Sequence, residues 1–128
     1  MTYLWVGLGA AIGGAFRYWC YGAAARLGAE LFPWGTLFVN VTGSALLGFF
    51  ATLSGPDGRV LVGTEARVFV MAGLCGGFTT YSTFSLETLR LMQDRQWLHA
   101  SLNIAGTLAL CMAGVWLGHL LAVRLNER

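Results

Sequence analysis

Residues 73–85 read Gly-Leu-Cys-Gly-Gly-Phe-Thr-Thr-Tyr-Ser-Thr-Phe-Ser, and they fall inside a long apolar stretch where a membrane helix is expected. Three glycines (Gly73, Gly76, Gly77) and five hydroxyl residues (Thr79, Thr80, Ser82, Thr83, Ser85) make a poor surface for lipid. They also make a poor unbroken helix, since each glycine costs about 1 kcal/mol relative to alanine. In hydrocarbon every freed backbone group needs an internal partner, so a break is tolerated only inside protein or beside a polar cavity. Broken membrane helices often hold ions.

The surroundings of this run are those of a small membrane protein. The chain has 128 residues, 56% of them hydrophobic and 11% charged, where a soluble domain carries roughly 25% charged residues. Crossing a bilayer takes about 20 apolar residues. The expected fold is therefore all-α, a single domain over 1–128 with four spans at about 3–25, 36–54, 66–92 and 97–123, the third broken near mid-membrane. The first span holds one charge, Arg17, and the second and fourth hold none. The N-terminus lacks a basic region and its apolar stretch is too long for a cleaved signal, so the first span reads as a retained helix. Cys20, Cys75 and Cys111 lie in apolar segments without paired spacing and read as small core residues.

All eight basic residues are arginine. Four spans put Arg59, Arg124 and Arg128 on one side, with Arg67 at its edge, and Arg26 and Arg95 on the other, with Arg90 at its edge. The positive-inside rule then gives little preference. This balance points to dual topology and an antiparallel dimer; a fixed orientation set by other cues is the alternative. Gly-Pro-Asp-Gly at 55–58 is a turn signal, Pro33 suits a helix entry, and Trp5, Trp34 and Trp97 fall near span ends. Gly9 with Gly13, and Gly114 with Gly118, are small-residue pairs that let helices approach closely.

Two polar faces accompany the run. Thr36, Asn40 and Ser44 recur at i, i+4, i+8 in the second span, and Asn103, Thr107 and Cys111 do so in the fourth. A buried asparagine can simply tie two helices together. Two such faces beside a broken span also suit a polar pathway rich in neutral donors, for a small anion or a hydrated cation. A helix restarting near Ser82 would offer free N–H groups and its positive dipole end, and carbonyls freed over Gly76 to Thr79 could hold a cation. Tyr81 and Phe84 share a face of the restarted helix, either as core packing or with their positive edges toward an anion.

Arg17 either snorkels to the surface or serves as an anion-attracting charge. Glu87 is the only carboxylate deep in the third segment and could snorkel, pair with Arg17 or cap a pathway. His99 and His119 have no ligand-spaced partners, and without lysine there is no Walker loop. No nucleophile–base pair is evident, so an enzyme, an organic cofactor and a nucleic-acid partner are not expected.

These residues resemble the Fluc (CrcB) family of small bacterial fluoride channels over essentially the whole chain. The resemblance lies in length, four spans, Gly-Xaa-Xaa-Xaa-Arg at 13–17, Trp-Gly-Thr-Leu at 34–37, Asn40, and above all Gly76-Gly-Phe-Thr-Thr-Tyr-Ser-Thr-Phe-Ser-Xaa-Glu87. It implies an antiparallel homodimer in the bacterial inner membrane with two pores, each drawing on both subunits. Fluoride would pass Asn40 as donor and Tyr81 and Phe84 as pore aromatics. Ser82 and Thr83 would lie beside the rings. Thr36 and the fourth-helix track of Asn103, Thr107 and Cys111, the last a weak donor, would be further polar positions. Phenylalanine is usual at the first aromatic position, so Tyr81 departs from the pattern. The resemblance also implies a structural sodium ion at the dimer centre, on the backbone carbonyls of Gly76 and Thr79 from both subunits. Arg17 and Glu87 match family positions. The implied activity is passive fluoride export; the rival reading is a small dual-topology proton-coupled exporter of cations or guanidinium compounds.

Overall fold

Four helical segments follow one another in the computed structural model, which describes residues 1–28 and 31–128. Helix α1 spans Thr2–Arg26 and α2 spans Trp34–Leu53. Of the connection expected between them over 26–35, residues 29 and 30 lie outside the described residues. The third segment is composite: α3 (Thr64–Val68), a π-helical stretch (Phe69–Cys75) and α4 (Gly76–Phe78) run on from one another. Thr79 and Thr80 are extended, with φ/ψ of −80°/160° and −154°/115°. Helix α5 (Tyr81–Gln93) then starts one residue before the expected Ser82, and α6 covers Trp97–Asn126.

Among the described residues two helices, α2 and α6, are each long and apolar enough to cross a membrane. At 1.5 Å per residue α6 is about 45 Å long. Helix α1 has 25 residues, but its glycines, aromatic residues and Arg17 dilute its hydropathy. The third segment is divided, and its longest regular piece is the 13-residue α5. Burial is inverted relative to a water-soluble fold. Among the described residues seven polar residues are buried beside eight apolar ones, and Asn103 is wholly enclosed, while Leu102, Leu108, Met112, Trp116 and Leu121 of α6 stand exposed. An outer face of large apolar side chains suits an apolar surrounding.

Small residues decide which helices touch. A Cβ on Gly73 would lie 2.9 Å from Gly9 Cα, and one on Gly13 would lie 2.8 Å from the Phe78 nitrogen. Helix α1 therefore packs backbone to backbone on the π-helical stretch and α4. A Cβ on Gly114 would come within 3.0 Å of Val41 O and one on Gly118 within 2.9 Å of the Phe49 nitrogen. This is close packing of α6 on α2. Where α1, α2 and α4 meet, Cys20, Val39 and Phe78 form an apolar cluster backed by Tyr21. The far ends of α2 and α6 are tied by Thr52 and His119, which share a 2.8 Å hydrogen bond, and by Asn126 Nδ2 donating to Thr52 O at 3.3 Å.

Candidate functional site

The interruption at Thr79 and Thr80 is built from threonine chemistry. The β-branched side chain suits extended backbone. Thr79 turns both its N–H and its hydroxyl back to Cys75 O, each at 3.0 Å, which closes α4. Thr80 caps α5: its Oγ1 accepts the Thr83 N–H at 3.2 Å and donates to Thr83 Oγ1 at 3.0 Å, and it shares a 3.3 Å contact with Ser82 Oγ. The Thr83 N–H, one of the donors expected free for an anion, is thereby occupied.

The Thr80 peptide groups and the Thr79 carbonyl are served from other helices. In a continuing helix the Thr80 N–H would go to Gly76 O and the Thr83 N–H to Thr79 O. Here Asn40 Oδ1 accepts the Thr80 N–H at 2.7 Å, and Asn40 Nδ2 donates to Thr80 O at 3.0 Å. Arg17 Nη1 donates to Thr79 O at 3.1 Å. Bare backbone groups in hydrocarbon cost several kcal/mol each, so α1 and α2 make the interruption tenable. Neither snorkelling nor pairing with Glu87 describes where Arg17 goes.

Beside the interruption, between α2, the third segment and α6, lies an open groove of about 460 Å³. Asn40, Gly76, Thr79, Tyr81, Phe84 and Thr107 line it, and no charged side chain does among the described residues. Tyr81 and Phe84 have ring centroids 5.5 Å apart at 53°. The Tyr81 side chain is 80% exposed, so it projects from the protomer and is not core packing within it. The groove thus gathers neutral polar groups and aromatic rings around one opening.

Other sequence candidates lie off the groove. Ser82 and Thr83 sit at the start of α5, bonded to Thr80. Asn103 is enclosed in a relay: Thr107 Oγ1 donates to Asn103 Oδ1 at 3.3 Å, Asn103 Nδ2 donates to Thr88 Oγ1 at 2.9 Å, and Thr88 Oγ1 donates to Phe84 O at 2.8 Å. It joins α5 to α6. Thr36 lies beside the Glu87 carboxyl, and Thr36 Oγ1 and Glu87 Oε2 are both buried without a hydrogen-bond partner.

Thr80, read in the sequence only as one hydroxyl of the run and not as a site residue, is central here. A hydroxyl residue ahead of a helix restart is an N-cap signal that could have found it. Gly43 was also missed: a Cβ there would overlap the Thr79 methyl, so this glycine gives the interruption its space on α2.

The profile of the CrcB-like protein, Camphor Resistance (CrcB) family matches residues 4–119. Several curated relatives carry the name fluoride-specific ion channel FluC. One from Paramagnetospirillum magneticum is 56% identical over 99% of this chain and 99% of its own length. One from Opitutus terrae is 54% identical over 98% and 95%, and one from Methylocella silvestris is 52% identical over 99% and 97%.

Proposed function

The chain belongs to the CrcB-like protein family, and we propose that it is a fluoride-selective passive channel of the bacterial inner membrane, a multi-pass protein that exports cytoplasmic fluoride. The observation that carries this reading is identity of 52–56% across nearly the whole chain to proteins named for fluoride conduction. The groove supports it, since neutral donors and aromatic rings without a charged wall suit a small anion that must also leave.

In this reading two protomers pair antiparallel, in dual topology, around the broken third helices near mid-membrane, and two pores draw on both subunits. Asn40 spends one N–H on Thr80 and keeps a second for fluoride. The edges of Tyr81 and Phe84 exclude larger anions and carry weak positive potential. Ser82 and Thr83 continue the donor line. Thr107 reaches the groove, Asn103 supports it, and Thr36 and Glu87 form a polar pair behind. Fluoride is small and strongly hydrated, so its shell needs short hydrogen bonds in exchange. An inside-negative potential drives the anion out at about 2.3 kcal/mol per charge per 100 mV, without ATP or protons.

The donor set for a sodium ion fits in kind: carbonyl oxygens are hard ligands, and Gly76 and Thr79 both line the groove. Thr79 O already accepts from Arg17, but a carbonyl oxygen has a second lone pair. Gly76 and Thr79 of two protomers would hold the ion, and it would supply fixed positive charge between the protomers.

The test is efflux from liposomes holding the purified protein, followed with a fluoride electrode beside a chloride control. Fast, fluoride-selective efflux needing only a potassium shunt is expected. Equal chloride flux, or none, from folded dimers overturns the reading. The buried, unpartnered Glu87 carboxyl oxygen would then favour the proton-coupled cation or guanidinium exporter, which a pH-gradient-driven uptake assay detects.

A further inference from the structure

Arg17 is the only charge in the apolar stretch of α1, and its guanidinium ends on a backbone oxygen, donating from Nη1 to Thr79 O at 3.1 Å. In an unbroken helix that oxygen would take the Thr83 N–H. The Thr83 N–H goes instead to Thr80 Oγ1, and Thr79 itself is extended. Arg17 supplies the hydrogen bond that the α5 cap withdraws. Its position on α1 permits this. Gly9, Gly13 and Arg17 recur at i, i+4, i+8 and share a face. The two glycines lay the α1 backbone on the stretch from Phe69 to Phe78. One turn on, where the third segment leaves the helix, the same face presents Arg17.

We propose that Arg17 is a positioning residue of the break, holding the Thr79 carbonyl from α1 while Asn40 holds the Thr80 peptide from α2. Tyr81 follows directly, so the direction in which α5 carries its two rings depends on this pair of holds. In this role Arg17 acts through its hydrogen bond to Thr79 O and not through long-range attraction of anions. The consequence for flux rests on the channel reading; the hold on Thr79 does not.

The experiment compares the full-length protein in lipid nanodiscs with its Arg17→Met, Arg17→Gln and Arg17→Lys variants by amide hydrogen exchange. Arg17→Met should exchange about tenfold faster over 79–85, the factor expected for loss of one hydrogen bond holding a local structure, with α6 unchanged. Arg17→Gln, a shorter neutral donor, should fall between, and Arg17→Lys should stay near wild type. Equal exchange in all four overturns the proposal. If Arg17→Met does not fold, Gln and Lys decide: faster exchange in Gln supports it, and equal rates overturn it. Fluoride efflux from the same proteins separates hold from lure. A loss in Arg17→Met that persists at high ionic strength supports positioning, and a loss that disappears there overturns it, because salt screens long-range attraction. If no variant, wild type included, conducts fluoride, the channel reading fails and the exchange rates alone decide the role of Arg17.

Discussion

Asn40 grips Thr80 at both ends of one residue: Oδ1 takes its N–H at 2.7 Å and Nδ2 gives to its carbonyl at 3.0 Å. The pair forms the kind of two-bond ring that joins neighbouring strands, here between a helix side chain and one extended residue, Thr80. It gives partners to the N–H and the carbonyl of Thr80 where the third segment leaves the helix.

Asn40→Ala removes both bonds, and Asn40→Asp keeps the acceptor while losing the donor. Both should lower fluoride efflux from liposomes at least about tenfold, while Ala should also lower stability by roughly 1–3 kcal/mol because Thr80 is left bare. Undiminished flux in either variant would remove Asn40 from the conduction route.

Gly43 and Thr79 are coupled by shape. A Cβ at Gly43 overlaps Thr79 Cγ2, so Gly43→Ala should reduce both flux and thermal stability. Thr79→Ser removes that methyl and keeps the hydroxyl, and adding it should restore most of the loss. A double-mutant cycle reads the coupling, expected at about 0.5–3 kcal/mol; strict additivity would contradict this contact.

Along α1, glycines differ in consequence. Gly13→Ala places its methyl against the third segment, whereas nothing lies within 4 Å of a Cβ at Gly22. Gly13→Ala should be strongly destabilising. Gly22→Ala should be neutral or stabilising by up to about 1 kcal/mol, the helix preference of alanine. Melting of the two purified variants in one detergent tests the difference.

Tyr81 offers a test of rings against hydroxyls. Its exposed side chain meets Phe84 through the ring, and an edge-on role needs no phenolic proton. Tyr81→Phe should keep fluoride efflux within a few-fold of wild type, and Tyr81→Ala should lose it. Loss of flux in Tyr81→Phe would make the hydroxyl an obligatory donor.

Several structural features were legible residue by residue. Gly76, Gly77, Thr79 and Thr80 announce a departure from helix, because glycine cost and hydroxyl competition for the backbone act locally. The Gly9–Gly13 and Gly114–Gly118 pairs mark close helix approach for the same local reason. The π-helical stretch over Phe69–Cys75 carries no comparable sign. Its Gly73 lies against the α1 backbone, a contact that only the packed helices reveal. The polar track of the fourth helix divided in the structure: Thr107 reaches the groove, and Asn103 is enclosed in the relay to Thr88 and Phe84.

What the sequence by itself determined was where apolar helices run and where one of them has to yield, since hydropathy, glycine content and capping chemistry are properties of neighbouring residues. Which donor answers which freed group was decided only by the tertiary structure. Thr36, Asn40 and Ser44 share one face of the second span, and Arg17 had two other roles open to it. The partners chosen, Asn40 for Thr80 and Arg17 for Thr79, lie 40 and 62 residues away along the chain. A backbone group in an apolar surrounding takes whichever donor packing brings within about 3 Å, and that is set by the glycine contacts that seat α1 and α2 against the interruption.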